Sequence, residues 1–234
     1  QAWDNSGALR QGKMLAYSNP IIWVNSLKDG YKVYFSRDAS ISYWEEFKNR
    51  PNFDLYKKSG LAIGEGNGRG DFGPIDDLIR PDLAQSIPLV GRHMRQFTVT
   101  LNNFRANLFD KLIANASEKL SDEDLKSYAS FVNTWTGRGE LGVGKYKLKA
   151  EGIAQILWAP GFISSSLINA LRPLTLPFEY ALYGIKIGPS HIRGLLGKSP
   201  AARAELRNVV TTQYLRAIGS LAAIYATGYA LNIL

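Results

Sequence analysis

Apolar residues recur along this chain mainly at intervals of three and four, and alternating apolar and polar runs bounded by turns hardly occur, so the pattern predicts helices rather than strands. A first clear helix opens at Asn19-Pro20, a capping residue followed by a proline whose missing N–H is harmless in the first turn, and carries Ile21, Val24, Leu27, Tyr31 and Tyr34 down one face. Asp38 and Ser40 open a short helix through Trp44 and Phe47 that Arg50-Pro51 stops, and another runs from Phe53 to Lys58 and ends at Gly60. The strongest period, Val90, Met94, Phe97, Leu101, Phe104, Leu108 and Leu112, predicts a long central helix over about 90–118 that serves as the scaffold of a bundle. Ser121 to Asp124 reads as a variant capping box, followed by Leu125, Tyr128, Val132 and Trp135 on one face and Gly137 as the left-handed stop. The fold class expected is all-α, an irregular multi-helix bundle.

Between these helices, residues 61–77 hold five glycines and a proline and read as a long flexible loop or hinge. Near the C-terminus, two stretches carry no charge: 152–171, interrupted by Pro160-Gly161, and 217–234, which ends a long apolar helix over about 200–233. Ser, Thr, Asn and Tyr dilute both, which favours helices packed on protein over permanent membrane spans and leaves repacking in lipid open. Gly219, Ala223 and Ala226, with Trp158, Phe162 and Ile163, are the candidates for membrane or oligomer packing.

Charge divides the chain in two. Of the net +8, residues 137–234 contribute +7, from 11 Lys and Arg against 4 Glu, and residues 1–136 the remaining +1. The expected organisation is therefore an N-terminal helical scaffold, 1–136, and a basic, apolar helical part, 137–234, joined at the stretch FVNTWTGRGELG. Arg138, Lys145, Lys147, Lys149, Arg203 and Arg207 are candidate contacts for DNA phosphates or anionic lipid. With Gln1 first and no basic-then-apolar leader, the chain reads as an ordered piece of a longer protein.

The chemistry the composition excludes is broad. Without cysteine there is no disulfide or thiolate site, and His93 and His191 have no second ligand at helical spacing, so no metal is expected. Neither glycine-rich stretch follows a buried strand or ends in Lys-Ser/Thr, so neither is a phosphate-binding loop of the nucleotide type. The carboxylates lie in capping or loop contexts, and no catalytic or cofactor-binding residue is assigned.

The succession Arg10-Gln11-Gly12, Arg50-Pro51-Asn52 with Gly60-Leu61, Ile87 to Val90, Phe104-Arg105-Ala106 with Phe109-Asp110, Asn133-x-x-Thr136-Gly137-Arg138-Gly139-x-Leu141-Gly142, and Trp158-Ala159-Pro160-x-Phe162-Ile163 resembles the conserved C-terminal module of large polyvalent proteins of tailed bacteriophages and mobile elements. The resemblance implies a non-enzymatic internal virion protein. Such a protein sits in the capsid interior near the portal, forms a homo-oligomeric ring with portal or other internal proteins, touches packaged DNA without reading its sequence, and is ejected with the genome to the host envelope and its membrane. The alternatives are a non-catalytic module of a giant phage enzyme (lytic transglycosylase, peptidase or virion polymerase) and a membrane-pore-forming helical protein.

Overall fold

The computed structural model describes residues 11–67, 70–72, 88–116, 120–138 and 200–231. Within them the chain forms seven α-helices: α1 (Lys13–Ser18), α2 (Pro20–Phe35), α3 (Arg37–Lys48), α4 (Phe53–Ser59), α5 (Pro88–Ala114), α6 (Asp122–Trp135) and α7 (Pro200–Ala230). Among the described residues no strand forms, only an isolated antiparallel bridge between Gly66 and Phe72, so the fold is all-α.

The long central helix is α5, 27 residues and about 40 Å at the usual rise. Its expected core residues Leu101, Phe104, Leu108 and Leu112 are buried, while Val90, Met94 and Phe97 are half-buried. Every residue from Thr98 to Ala106 is buried, so other elements surround the middle of this helix on all sides. On one side lies α2, antiparallel: Asn103 meets Asp29, and the Tyr34 and His93 rings meet edge-on at 4.9 Å.

The α2–α5 contact departs from the sequence expectation. Ile21, Val24 and Tyr31 face outward, and Leu27 and Tyr34 are only half-buried, whereas Ser26, Gly30 and Val33 face the core. Close approach is the reason: a Cβ on Gly30 would stand 2.1 Å from Thr100 Oγ1, so the two backbones meet across a glycine that larger residues would prop apart. The opposite face of α2 is thereby turned outward.

Helix ends follow local chemistry, with two departures. The box at Ser121 and Asp124 forms with both reciprocal bonds. At Gly60 (φ 76°) and Gly137 (φ 88°) the chain turns left-handed, with Leu61 N–H bonding Tyr56 C=O and Arg138 N–H bonding Asn133 C=O, the six-to-one closure that a Schellman stop requires. Asn19, however, does not cap α2; its side chain is drawn into tertiary bonds instead. The cap of α3 is Ser36, whose hydroxyl accepts from Ala39 N–H, while Ser40 lies inside the helix and donates to Gly70 C=O.

At the far end, α7 runs antiparallel to α1, with Gln213 at Asn19 and Ser220 at Tyr17, and also meets α6 through an edge-on contact of Tyr214 with Trp135 at 4.7 Å. Val210, Tyr214 and Ala217 are buried there. We expect Gly30→Ala, which stabilises an ordinary exposed helix by up to about 1 kcal/mol, to destabilise this protein by about 1–3 kcal/mol. Adding Thr100→Ala should restore most of the loss in urea unfolding; stabilisation by Gly30→Ala alone would contradict the packing described.

Candidate functional site

Polar side chains on the buried middle of α5 organise the elements around it. The segment after α4, expected to be a flexible loop, is pinned over Gly60 to Gly64 by side chains that take the place of a neighbouring strand. Asn133 Nδ2 donates to Gly60 C=O at 3.0 Å and its Oδ1 accepts from Ala62 N–H at 2.9 Å. Arg105 Nη1 donates to Ala62 C=O at 2.8 Å, and Nε to Thr136 Oγ1 at 3.0 Å. Asn102 bonds both the N–H and the C=O of Gly64 at 2.9 Å. Residues 68, 69 and 73–77 of the expected loop lie outside the described residues.

On another side of α5 a second network opens to solvent. Arg50 leaves the end of α3 with its guanidinium over the Phe47 ring, 4.7 Å from the centroid. It donates to Asn107 Oδ1 at 2.8 Å and Asn103 Oδ1 at 3.2 Å, and lies 3.9 Å from Asp110. Asn103 Oδ1 also accepts from Tyr43 at 3.0 Å, while its Nδ2 donates to Asp29 at 3.1 Å, which fixes the orientation of the amide. Asp110 accepts from Asn52 at 2.9 Å and from the Tyr56 hydroxyl at 2.6 Å. Above this network lies a cleft of about 420 Å³, walled by Asp29, Lys32, Tyr43, Glu46, Arg50 and Asn103.

Burial lifts Tyr43 well above the usual tyrosine range, with Arg50 opposing it. Tyr56 is raised first by burial and then by its bond to Asp110. Both phenols are therefore fixed hydroxyl donors at neutral pH, and the cleft combines carboxylates and cations without a tuned proton carrier among its tyrosines. No group of three or more His, Asp or Glu converges as a metal site among the described residues.

A third cluster forms at the N-terminus of α3. Asp71 is held between Arg37 at 2.5 Å and Arg95 at 3.6 Å, on a turn closed by Asn67 and Gly70. Burial lowers Arg95 from the usual arginine value, Asp71 works against that, and Arg37 and Arg92 add to the lowering.

The residues singled out from sequence fall in different places. Arg138 is exposed immediately after the left-handed Gly137. Arg203 and Arg207 lie on α7, with their side chains outside the description; Lys145, Lys147, Lys149, Trp158, Phe162 and Ile163 lie outside the described residues, as does the 152–171 stretch. Gly219, Ala223 and Ala226 are exposed on α7, and a Cβ on Gly219 would meet nothing within 4 Å. Ser220 makes its last hydrogen bond to α1 among the described residues, and from Ile218 onward one side of the helix is uncovered: Ile218, Leu221, Ile224, Tyr225, Tyr229 and Leu231 are all exposed on an uncharged surface. No helix among the described residues is long and apolar enough to cross a membrane.

Sequence reasoning missed the Asn102, Asn103 and Asn107 set and the Asp29–Tyr43–Arg50 cleft. A signal was present: three asparagines and an arginine interleave with the apolar period of a helix read as core. Several marks quoted for the phage resemblance, Arg50, Asn52, Arg105, Asp110, Asn133 and Thr136, meet in these same two networks.

Asn102→Ala strands both polar groups of the Gly64 backbone, and we expect it to lower stability by about 1–3 kcal/mol in urea unfolding; a loss within error would place the segment's order elsewhere. Above pH 10 unfolded tyrosines release protons that the folded Tyr43 and Tyr56 retain, so stability falls as pH rises. An absorbance titration at alkaline pH should show a tyrosine fraction that ionises only on unfolding, and Tyr56→Phe should reduce it. No family model, curated protein or solved structure matches this chain, so the reading of the site rests on its own geometry.

Proposed function

We propose that this chain is a non-enzymatic structural and delivery element of a tailed-bacteriophage virion, packaged inside the capsid near the portal as a homo-oligomeric ring and ejected with the genome to the host envelope. The observation that carries the reading is the distal part of α7. It leaves a cross-braced helical body and presents an uncharged apolar surface with no partner among the described residues, which suits attachment to protein neighbours. The body behind it is cross-braced, since hydrogen-bonded polar side chains tie α2, α3, α4, α5 and α6 together. Arg138 and the basic residues that follow it would meet packaged DNA through phosphates, without sequence readout.

Mass spectrometry of purified particles, with cross-linking to portal subunits, tests the assignment: the chain should be present and cross-link to portal or internal proteins, and its absence from particles would sink the reading. Tyr229 is 79% exposed, so Tyr229→Asp together with Ile224→Asp should leave thermal unfolding unchanged while reducing incorporation into particles about tenfold or more, as expected when central apolar contacts of an interface are lost. Normal incorporation of that variant would remove α7 from the assembly surface.

A further inference from the structure

The outward face of α2 and the arginines at its C-terminal end form a second surface. Ile21, Val24, Lys28, Tyr31 and Phe35 fall within an arc of about 80° at 100° per residue, opposite the Ser26–Gly30–Val33 face that packs on α5. Ile21 and Phe35 are each 76% exposed. Because α2 and α5 are antiparallel, with Tyr34 at His93, the exposed Leu89 and Arg92 of α5 lie beside the Phe35 end. Arg37 follows Phe35 by two residues, and Arg95 lies one turn beyond Arg92.

Among the described residues, charge on this surface is unbalanced. Lys28, Arg37, Arg92 and Arg95 stand against Asp71 and the exposed Asp38. Asp71 sits closer to Arg37 than to Arg95, whose side chain is only 11% exposed. Asp71 is thus shared between two arginines, which leaves positive charge at this end of α2, and the exposed Arg37 and Arg92 offer their guanidinium groups to phosphate oxygens there.

We propose that this face is an interfacial docking surface for an anionic lipid bilayer, with the aliphatic and aromatic stripe entering the headgroup boundary and lipid phosphates seated on Arg37 and Arg92. Contact with DNA backbone would use the arginines but leave Ile21 and Val24 in water, whereas a bilayer interface takes up apolar and cationic groups together. The inference deepens the delivery reading, which brings the chain to an envelope, but it is tested on the purified chain without particles. Vesicle binding and virion location can therefore fail independently.

Co-sedimentation of the full chain with vesicles of phosphatidylcholine alone, and with an equimolar mixture of phosphatidylcholine and phosphatidylglycerol, provides the test. Binding should be at least about tenfold tighter to the mixed vesicles and weaken with salt, as a few cations near an anionic surface dictate. Phe35→Asp and Arg92→Glu should each weaken it about tenfold at unchanged thermal stability, with Arg92→Gln intermediate, and Tyr229→Asp on α7 should have no effect. Equal binding to both vesicle types, wild-type binding by Phe35→Asp or Arg92→Glu, or loss of binding in Tyr229→Asp would overturn the proposal. Displacement from vesicles by duplex DNA, at a phosphate concentration where inorganic phosphate displaces nothing, would assign the arginines to nucleic acid and likewise overturn it.

Discussion

Asn102, Asn103 and Arg105 lie in the middle of a helix that is buried on every side, and only Asn103 borders the cleft. Each unpaired polar group in such a place costs about 1–3 kcal/mol, so the fold holds only if surrounding elements bring partners to them. The Gly60 to Gly64 segment, α6 through Asn133 and Thr136, and α2 and α3 through Asp29, Tyr43 and Arg50 do so. Apolar contacts of α5 supply most of the burial, but they are non-directional; the amides and guanidinium fix which backbone group sits opposite which residue.

That constraint explains why a glycine-rich segment is ordered where it touches α5. A chain with few side chains of its own can lie close to a helix and expose its N–H and C=O groups to the helix's amides. Gly64 pairs both groups with one asparagine, and Gly66 lies so close to Trp44 that a Cβ would come within 2.6 Å of the indole. The same closeness at Gly30 draws α2 onto α5 along a face of small residues and sends Ile21, Val24 and Phe35 outward. Two apolar surfaces among the described residues thereby face outward, one on α2 and one on the distal part of α7. The first is bordered by arginines and the second carries no charge, so the two differ in chemical character.

Much of the fold was legible in the sequence because helix boundaries are local matters. Ser121 with Asp124, Gly60, Gly137 and the period from Leu101 to Leu112 act through bonds and contacts within a few residues, and each appears in the structure as its pattern predicts. The candidate site was less legible. Arg50 and Asp110, or Asn133 and Gly60, are far apart in the chain, and nothing in either segment alone says that they meet.

Periodicity by itself determined that the chain is helical, where α5 lies and where α4 and α6 stop, since these depend on capping, glycine conformations and the spacing of apolar residues. Which face of α2 is buried was decided only in the tertiary structure, because a helix with apolar residues on more than one side is turned by what its neighbour can approach, and Gly30 lets α5 approach closest. Asn19 shows the same division: its position marks a helix start, but Lys111 and Gln213, drawn near by folding, hold the side chain that would have capped it.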